Sequence, residues 1–368
     1  MMEKIINKTA KTTPHTLAIT GGGTMGHISP SLALLEELKK HYDKIIYIGS
    51  KNSMEEKKAK EYNLPFYSVD TIKFDRQHLL KNLKIPFVLF KARKQAKQIL
   101  QSNNVEKLFS KGGYVSVPVI LASQKLKLPN ILHESDVTLG LANKISSIKA
   151  SKVFVATNKA KDTLRPKIQN KTIVTGIPIS KEFNNNKDTE AVQKLKSVTN
   201  KKIMVITGGS QGSVALNNLI QKNLDTLTND YYIYHIVGKG NKNKDIHHPS
   251  YTQLEFVDNI YDYFKASNII ISRAGATTIF EALKCECNII AIPLPKSKYS
   301  RGDQVENAKY FNSLGLLDFI LQENLEIQTL LNLIKSIEKN KANRLKYIRN
   351  FNNSTLSNAK IAEIIAKT

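Results

Sequence analysis

The sequence predicts an α/β protein made of two Rossmann-like domains, each a parallel sheet with crossover helices. Two observations carry this prediction: β-rich runs alternate with helix-length segments along the chain, and one strand–glycine–helix pattern occurs twice. Such alternation is typical of parallel sheets. A chain of 368 residues is also longer than a domain with one ordinary compact core. We therefore expect two cores.

The elements can be assigned in order along the chain. In the first half the predicted strands are TLAIT (16–20), KIIYIGS, EKLFSKGG, NILHES, KVFVAT and KTIVTG, and a helix is predicted over SPSLALLEELKKH. After a polar section (184–202) the second half has the strand KIMVITGG, the helix SVALNNLIQKNL and the strands YIYHIVG, LEFVD, NIIISRAG and NIIAIPLP. We predict a first domain of residues 1–176, completed by a C-terminal helix at about 350–368, and a second domain of residues 177–349.

The repeat indicates where ligands bind. ITGGGTMGHISPSLAL at 19–34 and ITGGSQGSVALNNL at 206–219 both run from an apolar strand through glycines into a helix. Open parallel sheets bind ligands at the carboxyl ends of their strands. Two facing domains of this kind predict a deep cleft between them.

Composition excludes several classes of protein. No apolar run reaches the roughly 18–20 residues that span a bilayer, and the first residues lack the apolar stretch of a secretory signal, so we expect a cytoplasmic protein. The only cysteines, Cys285 and Cys287, are too close in sequence for an unstrained bridge and have no second pair for a zinc site. The net charge of +24, if clustered, would attract anionic lipid, nucleotide or nucleic acid, and composition alone does not choose among them.

The first glycine loop formally matches the dinucleotide pattern G-x-G-x-x-G. A dinucleotide site normally has an acidic residue at the end of the next strand for the ribose, whereas here that strand ends in Gly49-Ser50. We therefore favour another phosphate ligand, or a plain turn, over a nicotinamide or flavin cofactor. His27 follows the loop at the predicted helix start, where the helix dipole favours a neutral imidazole able to act as a base. A capping or packing histidine is the alternative.

Two loops of the second half have a similar character. Gly208–Gly212 can cradle a diphosphate with its backbone amides and the Ser210 hydroxyl, or form a simple tight turn. In the later segment SRAGATTIFE, Glu281 could accept both hydroxyls of a ribose or be an ordinary surface residue. Arg273 could bind phosphate or make a structural pair.

Two further segments are polar or amphipathic. His133-Glu134-Ser135-Asp136, followed by Gly140 and Asn143, predicts a polar rim at a strand end, without the spacing of a metal site. The apolar run at 84–90, flanked by Lys81, Lys91, Arg93, Lys94 and Lys97, has the composition of an element that binds a membrane surface. A buried core helix is the alternative.

Seven of these segments, in the same order, resemble the MurG family of glycosyltransferases (family 28). They are GGGTMGHISPSLA, FSKGGYVSVPV, HESDVTLGLANK, TGIPIS, TGGSQGSVALN, SRAGATTIFE and DQVENAKYF, and they cover most of the chain from Gly21 to about Phe311. The resemblance implies a GT-B fold. It also implies transfer of N-acetylglucosamine from UDP-N-acetylglucosamine to the 4-hydroxyl of the muramyl group in undecaprenyl-pyrophosphoryl-muramyl pentapeptide.

The resemblance also implies roles for individual residues. His27 would be the general base of a one-step inverting reaction, which needs no protein nucleophile, no metal and no cofactor. The donor would be bound by Ser180, Gly209, Ser210, Gln211, Phe256, Val257, Arg273, Thr277, Glu281, Gln304 and Asn307. The acceptor would be bound by Gly22, Gly23, Thr24, Gly26, Tyr114, His133, Glu134, Asp136 and Asn143.

The implied partners are the two substrates, the anionic inner leaflet of the cell membrane and other cell-wall synthesis proteins, with no nucleic acid. This sequence departs from the family pattern at Met25, where a small residue is usual, at Asp136, often Asn, and at Ser180, often an Arg that Lys181 could replace. Another lipid glycosyltransferase, a UDP-N-acetylglucosamine 2-epimerase and a non-catalytic nucleotide-sugar-binding protein are the alternatives.

Overall fold

The computed structural model describes residues 14–72, 79–184, 188–209, 211–297 and 300–368, without the side chains of 79–81 and 184. Seven strands form a first parallel sheet: β1 (Thr16–Thr20), β2 (Lys44–Gly49), β3 (Phe66–Ser68), β4 (Val105–Ser110), β5 (Asn130–Glu134), β6 (Lys152–Val155) and β7 (Thr172–Val174). Six more form a second parallel sheet: β8 (Lys202–Thr207), β9 (Tyr231–Ile236), β10 (Tyr251–Leu254), β11 (Ile269–Ser272), β12 (Asn288–Ala291) and β13 (Asp318–Phe319).

Helices connect these parallel strands. In the first half they are α1 (Ser29–Ala33), α2 (Leu35–Leu38), α3 (Met54–Glu61), α4 (Ile85–Ser102), α5 (Ser116–Lys125), α6 (Leu141–Ser147), α7 (Asn158–Asp162) and α8 (Pro166–Gln169). In the second half they are α9 (Glu190–Ser197), α10 (Val214–Lys222), α11 (Leu224–Thr228), α12 (Ile260–Ala266), α13 (Ala276–Lys284), α14 (Asp303–Ser313), α15 (Ile327–Ser354) and α16 (Asn358–Lys367). Short 3-10 turns occupy Met25–His27, Leu79–Lys84, Lys181–Asn184 and Gln322–Asn324.

Both sheets have the same topology. Their strand orders are β3-β2-β1-β4-β5-β6-β7 and β10-β9-β8-β11-β12-β13. In each sheet, successive strands are first added on one side of the first strand and then on the other, and this change occurs between β1 and β4 and between β8 and β11. Ligand sites of open parallel sheets lie at such switch points. The two glycine loops follow β1 and β8, so each lies at the switch point of its own sheet.

Apolar side chains on both faces of each sheet make the cores. The strands are buried almost throughout, which fits sheets covered by helices on both faces. The tail returns to the first sheet as α16, whose Ile361, Ala362 and Ile365 join the core beneath β1 and β2. Asn358 donates from Nδ2 to the Ala33 carbonyl at 3.0 Å. The division of the chain into the two domains given above, with the tail assigned to the first, stays a prediction.

The two-domain α/β prediction is confirmed, but several elements differ from expectation. LEFVD was predicted as a strand, yet β10 ends at Leu254 and Phe256 lies exposed beyond it. The helix predicted after the first loop is interrupted at Leu34. The polar section contains α9, whose apolar Val192 is fully buried. The short edge strands β3 and β13 were missed, whereas the similarly short edge strand β7 was predicted, because FYS and DF lack the β-branched residues of TIV.

Cys285 and Cys287 are both buried, and neither forms a disulfide. Within the described residues, no helix has both the length and the apolar character needed to cross a membrane.

Candidate active site

The first glycine loop packs directly against the turn that follows β4. Gly113 has a φ of +83°, and a Cβ at this position would lie 2.4 Å from the Gly22 carbonyl oxygen. Only glycine fits such a close approach in this conformation. Tyr114 then places its ring against Gly23. The loops after β1 and β4 therefore form one continuous surface at the switch point.

His27 lies within this surface, half-buried at the end of the short turn Met25–His27. Burial lowers the pKa of His27, the positive charges of Lys111 and Arg301 act in the same direction, and Glu134 opposes them. The imidazole is therefore neutral at physiological pH. A neutral imidazole can take a proton, which is the property that the sequence assigned to this residue.

Three polar side chains form a buried cluster behind the loop. Lys111, at 1% exposure, places Nζ 2.6 Å from His133 Nδ1 and 2.6 Å from Ser135 Oγ. The opposite ring nitrogen of His133 donates to the Gly176 carbonyl at 2.9 Å. Because Nε2 is the donor, Nδ1 accepts from the lysine. Burial and Lys111 hold the pKa of His133 well below its usual value, so this ring is neutral.

Glu134 organises the loop that follows β5. Its Oε1 accepts from the backbone amides of Ser135 and Asp136, and its Oε2 accepts from the Gly140 amide and from Asn143 Nδ2 at 3.0 Å. Among the described residues, Asn143 Oδ1 is buried without a hydrogen-bond partner. Such an oxygen could accept from a ligand hydroxyl only if the segments that cover it move apart. The polar rim predicted from the sequence is therefore one hydrogen-bonded unit.

Asp136 connects the two domains. Its carboxylate accepts from Asn307 Nδ2 at 3.0 Å and lies 3.3 Å from the Arg301 guanidinium, both on or beside α14. Asn307 Oδ1 accepts from the Val137 amide, and its Nδ2 also donates to the Ala274 carbonyl. The acidic side chain at this position, where the family often has Asn, is therefore paired with groups of the second domain. Burial and the neighbouring carboxylates raise the pKa of Asp136 to about 7.

The second glycine loop leads into α10. Ser213 caps this helix by accepting from the Leu216 amide. A Cβ at Gly212, where φ is +74°, would lie 2.0 Å from the Val237 carbonyl oxygen, so the turn requires glycine. Gly209 and Gln211 are exposed on the loop, while Ser210 lies outside the described residues.

The other predicted donor residues surround the same end of the second sheet. Glu281, one turn into α13, has no hydrogen-bond partner in the described part of the chain, and burial raises its pKa to about 8. Thr277 lies opposite Gly26, because a Cβ on that glycine would be 3.6 Å from Thr277 Oγ1. Phe256 is exposed beneath the Lys239 ammonium, and the adjacent Val257 is half-buried.

Three predicted donor residues are engaged elsewhere in the fold. Arg273 donates to Ile292 O, Ser213 Oγ and Gln322 Oε1, so its guanidinium connects the end of the second glycine loop to the segments that follow β12 and β13. Gln304 Oε1 accepts from the Leu294 amide. Ser180 donates to Glu182. Lys181, considered as a replacement for the family arginine, forms an ion pair with Glu36 on α2.

Sequence reasoning missed three charged residues at this site. Lys111 and Arg301 are described above, and Glu55 is the third: it is 1% exposed and lies directly beneath Gly22. Lys111 belongs to the segment FSKGGYVSVPV, but no local pattern indicates that its side chain is buried. In the described ranges, no group of three His, Cys, Asp or Glu side chains could hold a metal ion.

Two facing Rossmann-like domains with a glycine loop at each switch point define the GT-B class of glycosyltransferase folds. Residues 17–155 match the glycosyltransferase family 28 N-terminal domain, and residues 203–365 match the family 28 C-terminal domain. The chain belongs to glycosyltransferase family 28.

Curated relatives agree with this assignment. A protein of Clostridium botulinum (strain Alaska E43 / Type E3), named UDP-N-acetylglucosamine--N-acetylmuramyl-(pentapeptide) pyrophosphoryl-undecaprenol N-acetylglucosamine transferase, is 38% identical over 96% of this chain and 98% of its own length. A Clostridium tetani protein of the same name is 37% identical over 95% of this chain and 97% of its own. The crystal structure of Acinetobacter baumannii MurG shares the fold, with a TM-score of 0.74 at 21% identity over 96% of this chain and all of that one.

Proposed function

We propose that this chain transfers N-acetylglucosamine from UDP-N-acetylglucosamine to the 4-hydroxyl of the muramyl group in undecaprenyl-pyrophosphoryl-muramyl pentapeptide. The product is the disaccharide-linked lipid used in peptidoglycan synthesis. The observation that carries the proposal is the 38% identity, over 96% of the chain, to a relative with this activity in its name.

We place the donor in the second domain. Gly209, Ser210, Gln211 and the first turn of α10 would receive the diphosphate, because the amides at a helix N-terminus attract anions. The isolated carboxyl group of Glu281 is suited to accept from two ribose hydroxyls. Phe256 and Val257 would adjoin the uracil, and Thr277 the phosphates. The inverted β-1,4 linkage forms in one displacement, in which UDP leaves as the acceptor oxygen attacks.

We place the acceptor against the first domain. The loop of Gly22, Gly23, Thr24 and Gly26, with Tyr114 beside it, would receive the pyrophosphate, and the free Asn143 oxygen would accept from a sugar hydroxyl. His27 would remove the proton of the attacking hydroxyl. Its lowered pKa keeps it in the basic form before the reaction.

The donor sugar would require the domains to move. Asn307 is fully buried and uses both its oxygen and its amide group within the protein. It can contact the donor only after releasing Asp136 or Ala274. We therefore propose that the two domains are in a closed conformation in this structure. Substrates would enter when α14 separates from the loop after β5.

We propose that α4 carries the chain on the cytoplasmic face of the cell membrane. Leu83, Phe87 and Phe90 are 69%, 79% and 64% exposed, so the buried-helix alternative does not apply to these side chains. Exposed lysines follow along the helix, and the Arg93 guanidinium lies 5.4 Å from the Phe90 ring centroid. An apolar surface with a basic border fits an anionic leaflet. Other cell-wall synthesis proteins are further proposed partners.

The membrane proposal has a direct test. Replacing both Phe87 and Phe90 with Ser should reduce binding to liposomes containing anionic lipid at least tenfold, because about 0.8 kcal/mol is lost per buried methylene. The melting temperature should stay unchanged. Unaltered liposome binding, with the melting temperature of the wild type, would remove these side chains from the membrane contact.

The activity is tested by UDP release from UDP-N-acetylglucosamine, with and without a synthetic lipid-linked muramyl pentapeptide. Acceptor-dependent release, with a product heavier by one N-acetylhexosamine, is expected. Conversion of the donor alone to UDP-N-acetylmannosamine would instead indicate the epimerase. Donor binding without turnover would indicate a different acceptor or a non-catalytic protein.

A further inference from the structure

Lys111 lies where the two halves of the acceptor surface meet. It directly follows β4, and its backbone amide donates to the Thr20 carbonyl at 2.9 Å, which places it beside the first glycine loop. A Cβ on Gly21 would lie 3.0 Å from the Lys111 Cβ. The lysine side chain therefore runs directly behind the loop that we assigned to the acceptor pyrophosphate.

The Lys111 ammonium has fewer partners than it can use. A lysine ammonium carries three N–H donors. His133 Nδ1 and Ser135 Oγ, both at 2.6 Å, take two of them. In the described part of the chain no third acceptor lies within hydrogen-bonding distance. Because strand β5 carries His133 and the loop begins at Ser135, the lysine sets the position of the whole segment 133–136.

Charged groups surround this ammonium from several elements. Burial disfavours the charged form and lowers the pKa of Lys111 to about 7, while Glu134, at the end of β5, and Asp136, in the loop that follows, favour the charged form. His27, from the first loop, and His133 are neutral neighbours, because the pKa of each is lowered. Arg301 reaches Asp136 from the second domain. The net charge behind the glycine loop therefore changes near neutral pH.

We propose that Lys111 is a positioning residue for the acceptor. Its ammonium holds His133 and Ser135, and with them the segment 133–136, and it supplies a buried positive charge behind the loop that receives the acceptor pyrophosphate. This inference rests on the proposed function and adds a residue to the acceptor side of that site.

Acceptor binding should depend on pH through the charge of Lys111. The fraction of charged Lys111 falls as pH rises through about 7 in the free enzyme. A nearby pyrophosphate stabilises the charged form, so acceptor binding takes up a proton above this pH. The acceptor KM should then rise by up to about tenfold per pH unit above 7. Ionisation of Asp136, whose pKa is also about 7, would act in the same direction.

The first experiment compares acceptor KM, donor KM and kcat between pH 6 and 9 in the full-length wild type and in Lys111→Met. Methionine keeps the length of the side chain and removes its charge. Lys107→Met is the matched control: Lys107 lies on β4, which Lys111 directly follows, but its Nζ donates to the Ile365 and Ala366 carbonyls of α16. We expect Lys111→Met to raise the acceptor KM about tenfold at pH 6 and to flatten its rise with pH. Donor KM should be unchanged, and Lys107→Met should follow the wild-type profile.

A second measurement does not depend on the folding of Lys111→Met. Calorimetric titration with a short-chain acceptor, at pH 8 in two buffers of different ionisation enthalpy, counts the protons taken up on binding. The Asp136→Asn variant is used, so that Asp136 does not contribute to this count. Uptake of more than about half a proton is expected. No uptake, or a Lys111→Met profile parallel to the wild type, would overturn the role of Lys111. Absence of acceptor-dependent turnover in the wild type would instead overturn the proposed function.

Discussion

The state of Glu281 makes a quantitative prediction for donor binding. This carboxyl group lies one turn into α13, is without a hydrogen-bond partner among the described residues, and has a pKa raised to about 8 by burial. It carries a proton over most of the physiological range. The two ribose hydroxyls are hydrogen-bond donors, and an ionised carboxylate can accept from both of them. A protonated carboxyl group carries an O–H donor of its own, which competes with this arrangement.

The magnitude follows from the pKa. If the donor binds the ionised form, its apparent affinity is reduced by the fraction of protein still protonated. With a pKa of about 8, that reduction is about tenfold at pH 7 and negligible at pH 9. The dissociation constant for UDP should therefore fall about tenfold between pH 7 and pH 9, while one proton is released on binding at pH 7.

Titration calorimetry with UDP measures this dependence directly. Glu281→Gln is the matched variant, because it keeps the shape and one acceptor oxygen without a titrating group. It should bind UDP more weakly than the wild type at pH 9 and show no slope between pH 7 and 9. Its melting temperature at pH 8 should not fall, because a buried ionisable group is removed. Equal slopes in the two proteins would refute the ribose role of Glu281.

Three other substitutions test different parts of the molecule. His27→Ala should lower kcat at least about 100-fold with UDP binding nearly intact, given the usual contribution of a general base; wild-type turnover would exclude that role. Asp136 holds a proton to about pH 7 when folded but ionises near 4 when unfolded, so its contribution to stability declines from pH 4 to 7. Asp136→Asn should therefore gain in melting temperature over the wild type across that range, and a constant difference would contradict the raised pKa. Gly113→Ala should lower the free energy of unfolding in denaturant by about 2–4 kcal/mol. Gly240→Ala is the control, because Gly240 has a similar φ but open space around it, and it should lose about 1 kcal/mol. Similar losses in the two variants would mean that the close contact with Gly22 does not limit the residue at position 113.

Local patterns predicted the repeated architecture. A buried strand, a glycine turn and a helix start are all written in consecutive residues, so both halves could be assigned from sequence periodicity alone. The switch-point rule then placed both loops at the same end of their sheets. The short edge strands β3 and β13 were not found, because FYS and DF lack the β-branched residues that marked β7.

The sequence by itself determined the two Rossmann-like domains, the glycine loops and most residue types of the cleft, because these depend on short-range patterns. The tertiary structure alone decided how the charged residues are paired. Lys111 and His133 are 22 residues apart, and Asp136 and Arg301 are 165 residues apart. Charge neutralisation and burial depend on which distant segments pack together, and no local pattern specifies that packing. The buried lysine and the contact across the cleft therefore appear only in the folded chain.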